Sequence, residues 1–245
     1  FAVKAEGDII VNGVVEGATL ISGGNIVLKR GMQGMDRGML QAEGNITAKF
    51  LENCKVRCKG MLKADAILHS DVECQENVDI LGKKGLINGG SLSTYADVHA
   101  TTLGSTMGAS TKIKIISDKE LIIRANEIKA EVENKEETLQ KIDEVVNRVK
   151  GQLASNQEVL PEQMNYLKQA TVNKPLLVKQ IRELREEREK LLVRIEKNKH
   201  SCIRVEGAVY SGIDITVKDV SKVQHEQVSH CRFVRDGADV RIVGL

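Results

Sequence analysis

The chain has 245 residues and nearly balanced charge, with 36 Lys and Arg against 34 Asp and Glu. A net charge of +2 creates no field that would attract nucleic acid or an anionic membrane. The chain has 3 Tyr, 3 Phe and no Trp, so it lacks stacking platforms for single-stranded nucleic acid or sugars. No apolar run reaches the ~18 residues of a membrane span, so no membrane insertion is expected. With 5 Cys and no secretion signal, we expect reduced thiols and a cytoplasmic location.

The first hundred residues repeat one short template. Its first copy spans 3–11 with Gly7 at the turn, and the turn position recurs at 24, 44, 60, 76 and 90, at spacings of 14 to 20 residues. The sixth copy is assigned to 86–94 and a partial seventh to 98–102. Apolar residues alternate with period two within a copy, which indicates strands. Since one copy cannot bury its own apolar face, the pattern predicts a parallel β-helix over residues 1–116, with equivalent residues stacked in ladders.

Particular template positions carry their own expectations. The second position is nearly always small, and its occupants are Ala5, Ser22, Ala42, Cys58, Cys74, Asn88 and Ala100. The third position is Gly in five of six full copies, which predicts a tight turn with φ > 0. Another ladder precedes each copy by five residues, at Val15, Met35, Leu51 and Ile67. This additional side would allow the cross-section of the coil to close.

At about residue 117 the apolar period changes from two to seven. Heptad seams, with alternating spacings of four and three, extend over 121–153 and 167–198. This spacing is typical of a coiled coil. Asp118 and the lack of Pro and Gly before Gly151 predict a first helix from about 118 to 153.

A second helix should start at Pro161, which suits the first helical position. The seam continues across Pro175, so we predict a kink at this residue and not a domain end. Because 154–160 is short and the helices are of similar length, residues 117–200 are predicted to form an antiparallel coiled-coil hairpin.

Equal arms imply that the numbers of facing seam residues sum to about 316. The expected pairs are Ile128 with Arg188 and Ile142 with Lys174. We expect the Arg188 cation to reach toward Glu127 or Glu131, because long basic side chains keep their charge near solvent and acids.

The period of two returns after residue 200. Residues 203–209 repeat the template, so the hairpin is an insertion between coils. The tail then has a strand, the dipeptide Asp236-Gly237 and another strand, which is typical of a β-hairpin. Residues 201–245 are therefore predicted to form a returning coil and a cap over the open end of the solenoid.

Several short segments, in this order, resemble the flagellar assembly protein A (FapA) family. They are Gly7–Ile9, Val15–Ala18, Gly24–Ile26, Ala48–Asn53, Ile67–Ser70, Gly82–Gly85, Asn88–Gly90, Leu103–Ser105 and Val209–Ile213. Ser211 stands where the family usually has Pro. The resemblance covers essentially the whole chain. It implies a right-handed β-helix with an inserted helical hairpin, a further N-terminal domain before Phe1, and a role in flagellar assembly or its regulation through protein contacts. The early copies are also similar to the β-helix of the division inhibitor MinC, a protein-binding surface without catalysis.

Cysteine and histidine are the first candidates for metal ligands. Cys54, Cys58 and Cys74 are close in sequence, but Cys58 and Cys74 occupy a position where other copies have Ala or Ser. A zinc site would also need a second tight pair. The tail candidates, which have no partner pair, are His225, His230 and Cys231. We therefore expect no metal site.

Candidates for catalysis are equally few. His69 invites comparison with left-handed hexapeptide acyltransferases, in which a solenoid His acts as a base, but the repeat here is not six residues long. Asp65, Asp71 and Asp79 recur without aromatic neighbours, which favours a solvated face over a sugar site. Residues 31–38 are rich in Gly but do not join a strand to a helix and lack the Lys-Ser/Thr ending of a phosphate loop.

The sequence thus predicts a mainly β protein with a helical insertion that acts as a non-enzymatic scaffold or adaptor. We expect protein partners, with the hairpin as one binding element and homo-oligomerisation as a further option, and no cofactor, nucleic acid or catalytic residue. The alternative is a β-helix enzyme acting on a saccharide or acyl donor. Such an enzyme would need a concave groove with converging ionisable groups, whereas a scaffold would not.

Overall fold

The computed structural model describes residues 1–155 and 158–245. The chain divides into two compact units. One unit comprises Phe1–Asp118 and Lys197–Leu245, and the other comprises Lys119–Glu196.

The first unit is built of strands. They are β1 (Ala2–Ala5), β2 (Ile9–Val11), β3 (Val14–Glu16), β4 (Thr19–Ser22), β5 (Ile26–Ala42), β6 (Ile46–Cys58), β7 (Leu62–Ala64), β8 (Ala66–Cys74), β9 (Val78–Ile80), β10 (Leu86–Thr94), β11 (Val98–Ala100), β12 (Thr102–Leu103), β13 (Thr111–Ile115), β14 (Ile203–Val209), β15 (Ile213–Val217), β16 (Val220–Gln224), β17 (Val228–Asp236) and β18 (Asp239–Gly244). Strands of successive coils pair in parallel from β1 to β15, and this confirms the predicted β-solenoid.

Three ladders of apolar side chains fill the interior of the solenoid. Ladder 1 contains Leu20, Leu40, Val56, Val72, Leu92, Ile113 and Ile215. Ladder 2 contains Ile9, Ile26, Ile46, Leu62, Val78, Val98 and Ile203. Ladder 3 contains Val15, Met32, Leu51, Ile67, Ile87, Leu103 and Val209. All of these residues are buried in one continuous core, so each coil covers the apolar edge of the next.

The register assigned to the sixth and seventh copies was wrong. Leu92 pairs with Val72, and Val98 pairs with Val78, so the sixth copy runs from 92 to 100. Its second position is filled by Thr94, whereas Ala100 lies at the fifth position and Asn88 lies on the side of ladder 3. The error came from Gly90, which resembles a template turn but lies at a different corner of the coil.

Ladder 3 also required one correction. Met35 is 48% exposed, whereas Met32 is fully buried and pairs with Leu51. The register of β5 against β6 shifts between Gln33 and Gly38. Extra residues therefore bulge outward at 34–37 and carry Met35 away from the interior.

The turn glycines adopt a conformation different from the predicted one. The left-handed residues of the solenoid do not include Gly24, Gly44 or Gly60. Instead, a Cβ atom at Gly44 would lie 2.5 Å from Oδ1 of Asn25, and a Cβ atom at Gly60 would lie 2.3 Å from Oδ1 of Asn45. These positions hold Gly because an Asn side chain of the preceding coil occupies the space that a Cβ atom would need.

The helical insertion interrupts one coil at its turn. Ile115, the last residue of β13, pairs with Thr94, and Ile203, the first residue of β14, pairs with Val98. In the coil before, only the short turn between Thr94 and Val98 separates the equivalent positions. The two helices therefore take the place of one turn, and the ladders continue on either side of them.

Antiparallel strands pair at the end of the solenoid. β17 pairs with β14, β16 pairs with β15, and β18 pairs with β17. Phe233 and Val240 of this cap are fully buried in the solenoid core. The cap thus covers the last coil and satisfies its strand edges.

The second unit is a hairpin of two helices, α1 (Lys119–Ala154) and α2 (Pro161–Asn198). Ile128, Val132 and Ile181 form its buried centre. The other apolar side chains packed on this centre are Leu139, Leu177, Leu184 and Leu191. These are seam residues, so the heptad pattern located the interface, and α2 runs through Pro175 without ending.

Ion pairs between the helices confirm their antiparallel register. Arg124 pairs with Glu187, and Lys174 pairs with Asp143, the neighbour of Ile142. Arg188 is half-buried, and its Nε atom has no hydrogen-bond partner. Within the described residues it pairs with neither Glu127 nor Glu131, which instead face Arg124 and Lys135. The expected reach of Arg188 toward those two acids was therefore wrong.

Candidate functional site

An open groove of about 390 Å³ crosses several coils on the outer surface above ladder 1. Its lining residues include Gln41, Glu43, Arg57, Lys59, Glu73, Ser93 and Tyr95. They project from successive coils because outward residues of a parallel stack form rows, as inward residues do.

The charges in this groove neutralise one another between coils. Nε of Arg57 donates to Oε2 of Glu73 at 3.1 Å, and Nζ of Lys59 donates to Oε2 of Glu43 at 2.5 Å. About half or more of each side chain is exposed, so each pair contributes at most about 1 kcal/mol. Both acids of the groove are thus paired with a cation of an adjacent coil, and the groove presents a mixed polar surface.

The stacked cysteines donate a hydrogen bond to the preceding coil, as Ser and Thr do at the same template position of other coils. Sγ of Cys58 donates to the Gly44 carbonyl at 3.2 Å, and Sγ of Cys74 donates to the Gly60 carbonyl at 3.0 Å. The equivalent hydroxyl of Ser22 donates to the Gly7 carbonyl at 2.7 Å. The second template position thus holds a small donor that satisfies the turn carbonyl of the preceding coil.

Burial makes the thiols of Cys54 and Cys74 poor metal ligands, whereas the hydrogen bond with Cys74 lowers the pKa of Cys58. Burial raises the pKa of Cys54 to about 11, although a hydrogen bond with Ser70 opposes the shift. A hydrogen bond with Cys58, together with burial, raises the pKa of Cys74 above its ordinary value. Metals bind the thiolate, and within residues 1–155 and 158–245 no cluster of three or more His, Cys, Asp or Glu is placed to hold a metal ion.

His69 lies at a corner of the coil. Its φ of 46° lies in the left-handed region, where His and Asn are enriched, and Asn53 occupies the same corner one coil earlier with a φ of 48°. The imidazole lies against Gly89, since a Cβ atom at Gly89 would come within 2.4 Å of Nδ1. The position of His69 is explained by backbone geometry and packing.

The three recurring aspartates do not converge. Oδ1 of Asp71 accepts from the Ser91 hydroxyl at 2.7 Å, and Oδ1 of Asp79 lies 3.2 Å from Nδ1 of His99. Asp65 lies beside Gly82, where a Cβ atom would come within 2.5 Å of its Oδ1. Each carboxylate thus contacts the following coil on its own side of the solenoid.

The remaining candidate residues for a phosphate loop or a metal site also lie at structural positions of the fold. Gly31–Gly38 lies inside β5, and a Cβ atom at Gly31 would meet the Phe50 ring at 2.7 Å. His230 has a left-handed φ of 49° in β17, and Cys231 is buried in the core. None of these segments joins a strand to a helix or presents a pair of ligands.

A row of Asn and Asp side chains is a signal that the template analysis missed. Oδ1 of Asp8 accepts from the Asn25 amide at 2.7 Å, and Oδ1 of Asn25 accepts from the Asn45 amide at 2.8 Å. Oδ1 of Asp97 accepts from the Cys202 amide at 2.8 Å, across the inserted hairpin in sequence. Because these residues directly follow the turn position, their recurrence after Gly could have revealed the row.

The hairpin carries apolar side chains outside its seam. Val172 and Leu176 are 65% and 56% exposed, and their spacing of four places them on one face of α2. Neither α1 nor α2 is long and apolar enough to cross a membrane, and this holds for the described residues.

A parallel β-solenoid with two helices in place of one turn, and with several outer charges paired between coils, defines a class of solenoid proteins with an inserted coiled coil. The model of the FapA family, described as the Flagellar Assembly Protein A beta solenoid domain, matches residues 1–240. The chain therefore belongs to this family and is related to flagellar assembly. No curated protein and no solved structure matches the chain.

Proposed function

We propose that the chain is a non-catalytic, cytoplasmic scaffold that binds protein partners during flagellar assembly or its regulation. The observation that carries the proposal is the pairing of ionisable groups on the solenoid surface. Glu43 and Glu73 each face a cation of the neighbouring coil, so the groove above ladder 1 offers a mixed polar surface for contact. The family membership supplies the biological setting.

The hairpin supplies a second binding element in this proposal. Val172 and Leu176 form an exposed apolar pair on α2, and amphipathic helices commonly bind partners through residues spaced by three or four. The seam already uses the opposite set of side chains, so this pair is free to contribute to an interface.

Affinity capture from the native lysate tests the proposal. The full chain is used as bait beside a Val172→Ser, Leu176→Ser variant and a matched variant, Lys168→Ser, Lys179→Ser, on the same helix. We expect flagellar proteins to be retained by the wild type and the lysine variant, with recovery reduced several-fold for the apolar variant. Retention of nothing above a bait-free control, or turnover of a saccharide or acyl donor by the purified chain, would contradict the proposal.

A further inference from the structure

Two arginines lie directly opposite each other where the last coil meets the cap. Arg204 of β14 and Arg232 of β17 are register partners in an antiparallel pair, and both are exposed. Like charges placed directly opposite on one sheet face destabilise the pairing. The arrangement therefore costs stability unless an anion lies against both guanidinium groups.

Neither guanidinium has a hydrogen-bond or ion-pair partner in the described part of the chain. The other two arginines of the cap differ in this respect. Arg235 lies 3.7 Å from Asp219, and Arg241 lies 3.4 Å from Asp236. The lack of an acid beside the opposed pair is thus particular to these two positions.

The next strand extends the pair into a row. His99 of β11 is the parallel register partner of Arg204, so His99, Arg204 and Arg232 follow one another across three hydrogen-bonded strands. We call these three residues the basic row. Neighbouring strands lie about 4.8 Å apart, so the row spans roughly 10 Å.

The acids near the basic row do not pair with its two arginines. Asp79 lies 3.2 Å from Nδ1 of His99, and Oδ1 of Asp97 accepts from the Cys202 amide. Glu206, two residues beyond Arg204, forms no ion pair with either arginine among the described residues. These acids leave the two guanidinium groups unneutralised.

We propose that the basic row binds the carboxylates of an acidic, extended segment of a protein partner. A guanidinium offers five donors in a planar fork that matches a carboxylate. Two forks on adjacent strands can each hold one carboxylate, and in an extended segment alternate side chains point to the same side about 7 Å apart. The inference rests on the proposed function, because it names the chemistry of one partner.

A synthetic peptide tests this site without knowledge of the partner. Blocked hexaglutamate is titrated into the whole chain by calorimetry, with hexaglutamine and inorganic phosphate as parallel ligands. We expect hexaglutamate to bind and hexaglutamine not to bind. Arg204→Gln and Arg232→Gln should each weaken binding by at least about tenfold, and added salt should weaken it further because exposed charges are screened.

Arg57→Gln and Arg241→Gln are the matched controls, because both remove an exposed arginine that is already paired, and both should keep the wild-type affinity. Equal affinity of hexaglutamate for wild type and an Arg204→Gln, Arg232→Gln double variant would overturn the proposal. So would binding of phosphate as tightly as the peptide. Since the ligand is synthetic, either failure leaves the scaffold proposal standing, whereas peptide binding with no captured protein would count against the scaffold proposal alone.

Discussion

The solenoid and the hairpin bury their apolar residues to different degrees. Ladder 2 of the solenoid is almost completely inaccessible, from Ile26 to Ile203. The hairpin seam has a small buried centre, and Lys174 and Arg188 of the seam are only half-buried. Leu153, at the end of the first seam, is 44% exposed.

This difference in burial determines where each unit tolerates a charged side chain. A side chain inside the solenoid is surrounded by the coils above and below, so a charged group there cannot reach water. A seam residue between two helices can extend past its partner helix, as Lys174 does when it pairs with Asp143. The solenoid therefore depends on its ladders, and the hairpin can keep cations in its seam.

The largest effect is expected from a charge placed inside ladder 2. Ile46 stacks between Ile26 and Leu62 and is fully buried. Ile46→Asp would leave a carboxylate without a partner in a dry core, so we expect a loss of several kcal/mol in the free energy of unfolding. Thermal unfolding followed by circular dichroism in the β region measures it.

The adjacent Thr47 provides the control for this substitution. Thr47 pairs with Val27 and Lys63 on the outer face and is exposed, so Thr47→Asp should change the free energy of unfolding by less than about 1 kcal/mol. Equal effects of the two variants would show that the inward and outward positions are misassigned.

An intermediate effect concerns the buried thiols and pH. The pKa of Cys54 rises from 9.0 to about 11 on folding because of burial. The folded state thus holds this proton more tightly, so the associated stability is complete below pH 9 and is lost as the pH rises toward 11. At pH 9 the thiolate fraction in the folded chain should be roughly 50-fold lower than in the unfolded chain.

Alkylation with iodoacetamide at pH 9, quantified for each cysteine by mass spectrometry, measures this difference. Cys54 should react at least tens of times more slowly in the native chain than in denaturant, and the reaction should accelerate as the pH passes 11. Alkylation of Cys54 at the same rate in both states would mean that the thiol is accessible and ionised in the native fold.

The smallest effect is expected in the hairpin seam. Arg188 is half-buried, and its Nε atom is unsatisfied, so Arg188→Leu should stabilise the hairpin by about 1 kcal/mol. Helical unfolding followed at 222 nm reports the change. Because the seam is filled within one chain, sedimentation should show the same species for wild type and variant at all concentrations, and a dimer formed by the variant alone would indicate an intermolecular coiled coil.

The sequence predicted the two kinds of repeat because each has a strict period. Leu62 and Ile128 were placed correctly by alternation and by heptad spacing, which depend only on which side of an element a residue lies. The connections were harder, because coil length varies. Met32 and Met35 lie three residues apart and are equally apolar. Only the bulge at 34–37 decides which of them points inward.

The conformation of the turn and the candidate sites could not be fully predicted from the sequence, because both depend on contacts between coils. Gly44 suggested a left-handed turn, whereas it is required by the side chain of Asn25 in the coil before. Such a contact joins residues that are distant in sequence and cannot be read from local composition. The opposed Arg204 and Arg232 were missed for the same reason, since their register depends on the antiparallel cap.

The central structural claim is that the solenoid is complete without the helices that replace one of its turns. Replacing Lys119–Glu196 with a short Gly-Ser linker tests it most directly, since that segment forms a unit of its own. We predict that the shortened chain keeps its β-type circular dichroism and a cooperative thermal transition, and that Ile46→Asp destabilises it as it does the whole chain. Loss of the β signal in the shortened chain would contradict the claim, because it would show that the solenoid needs the hairpin to fold.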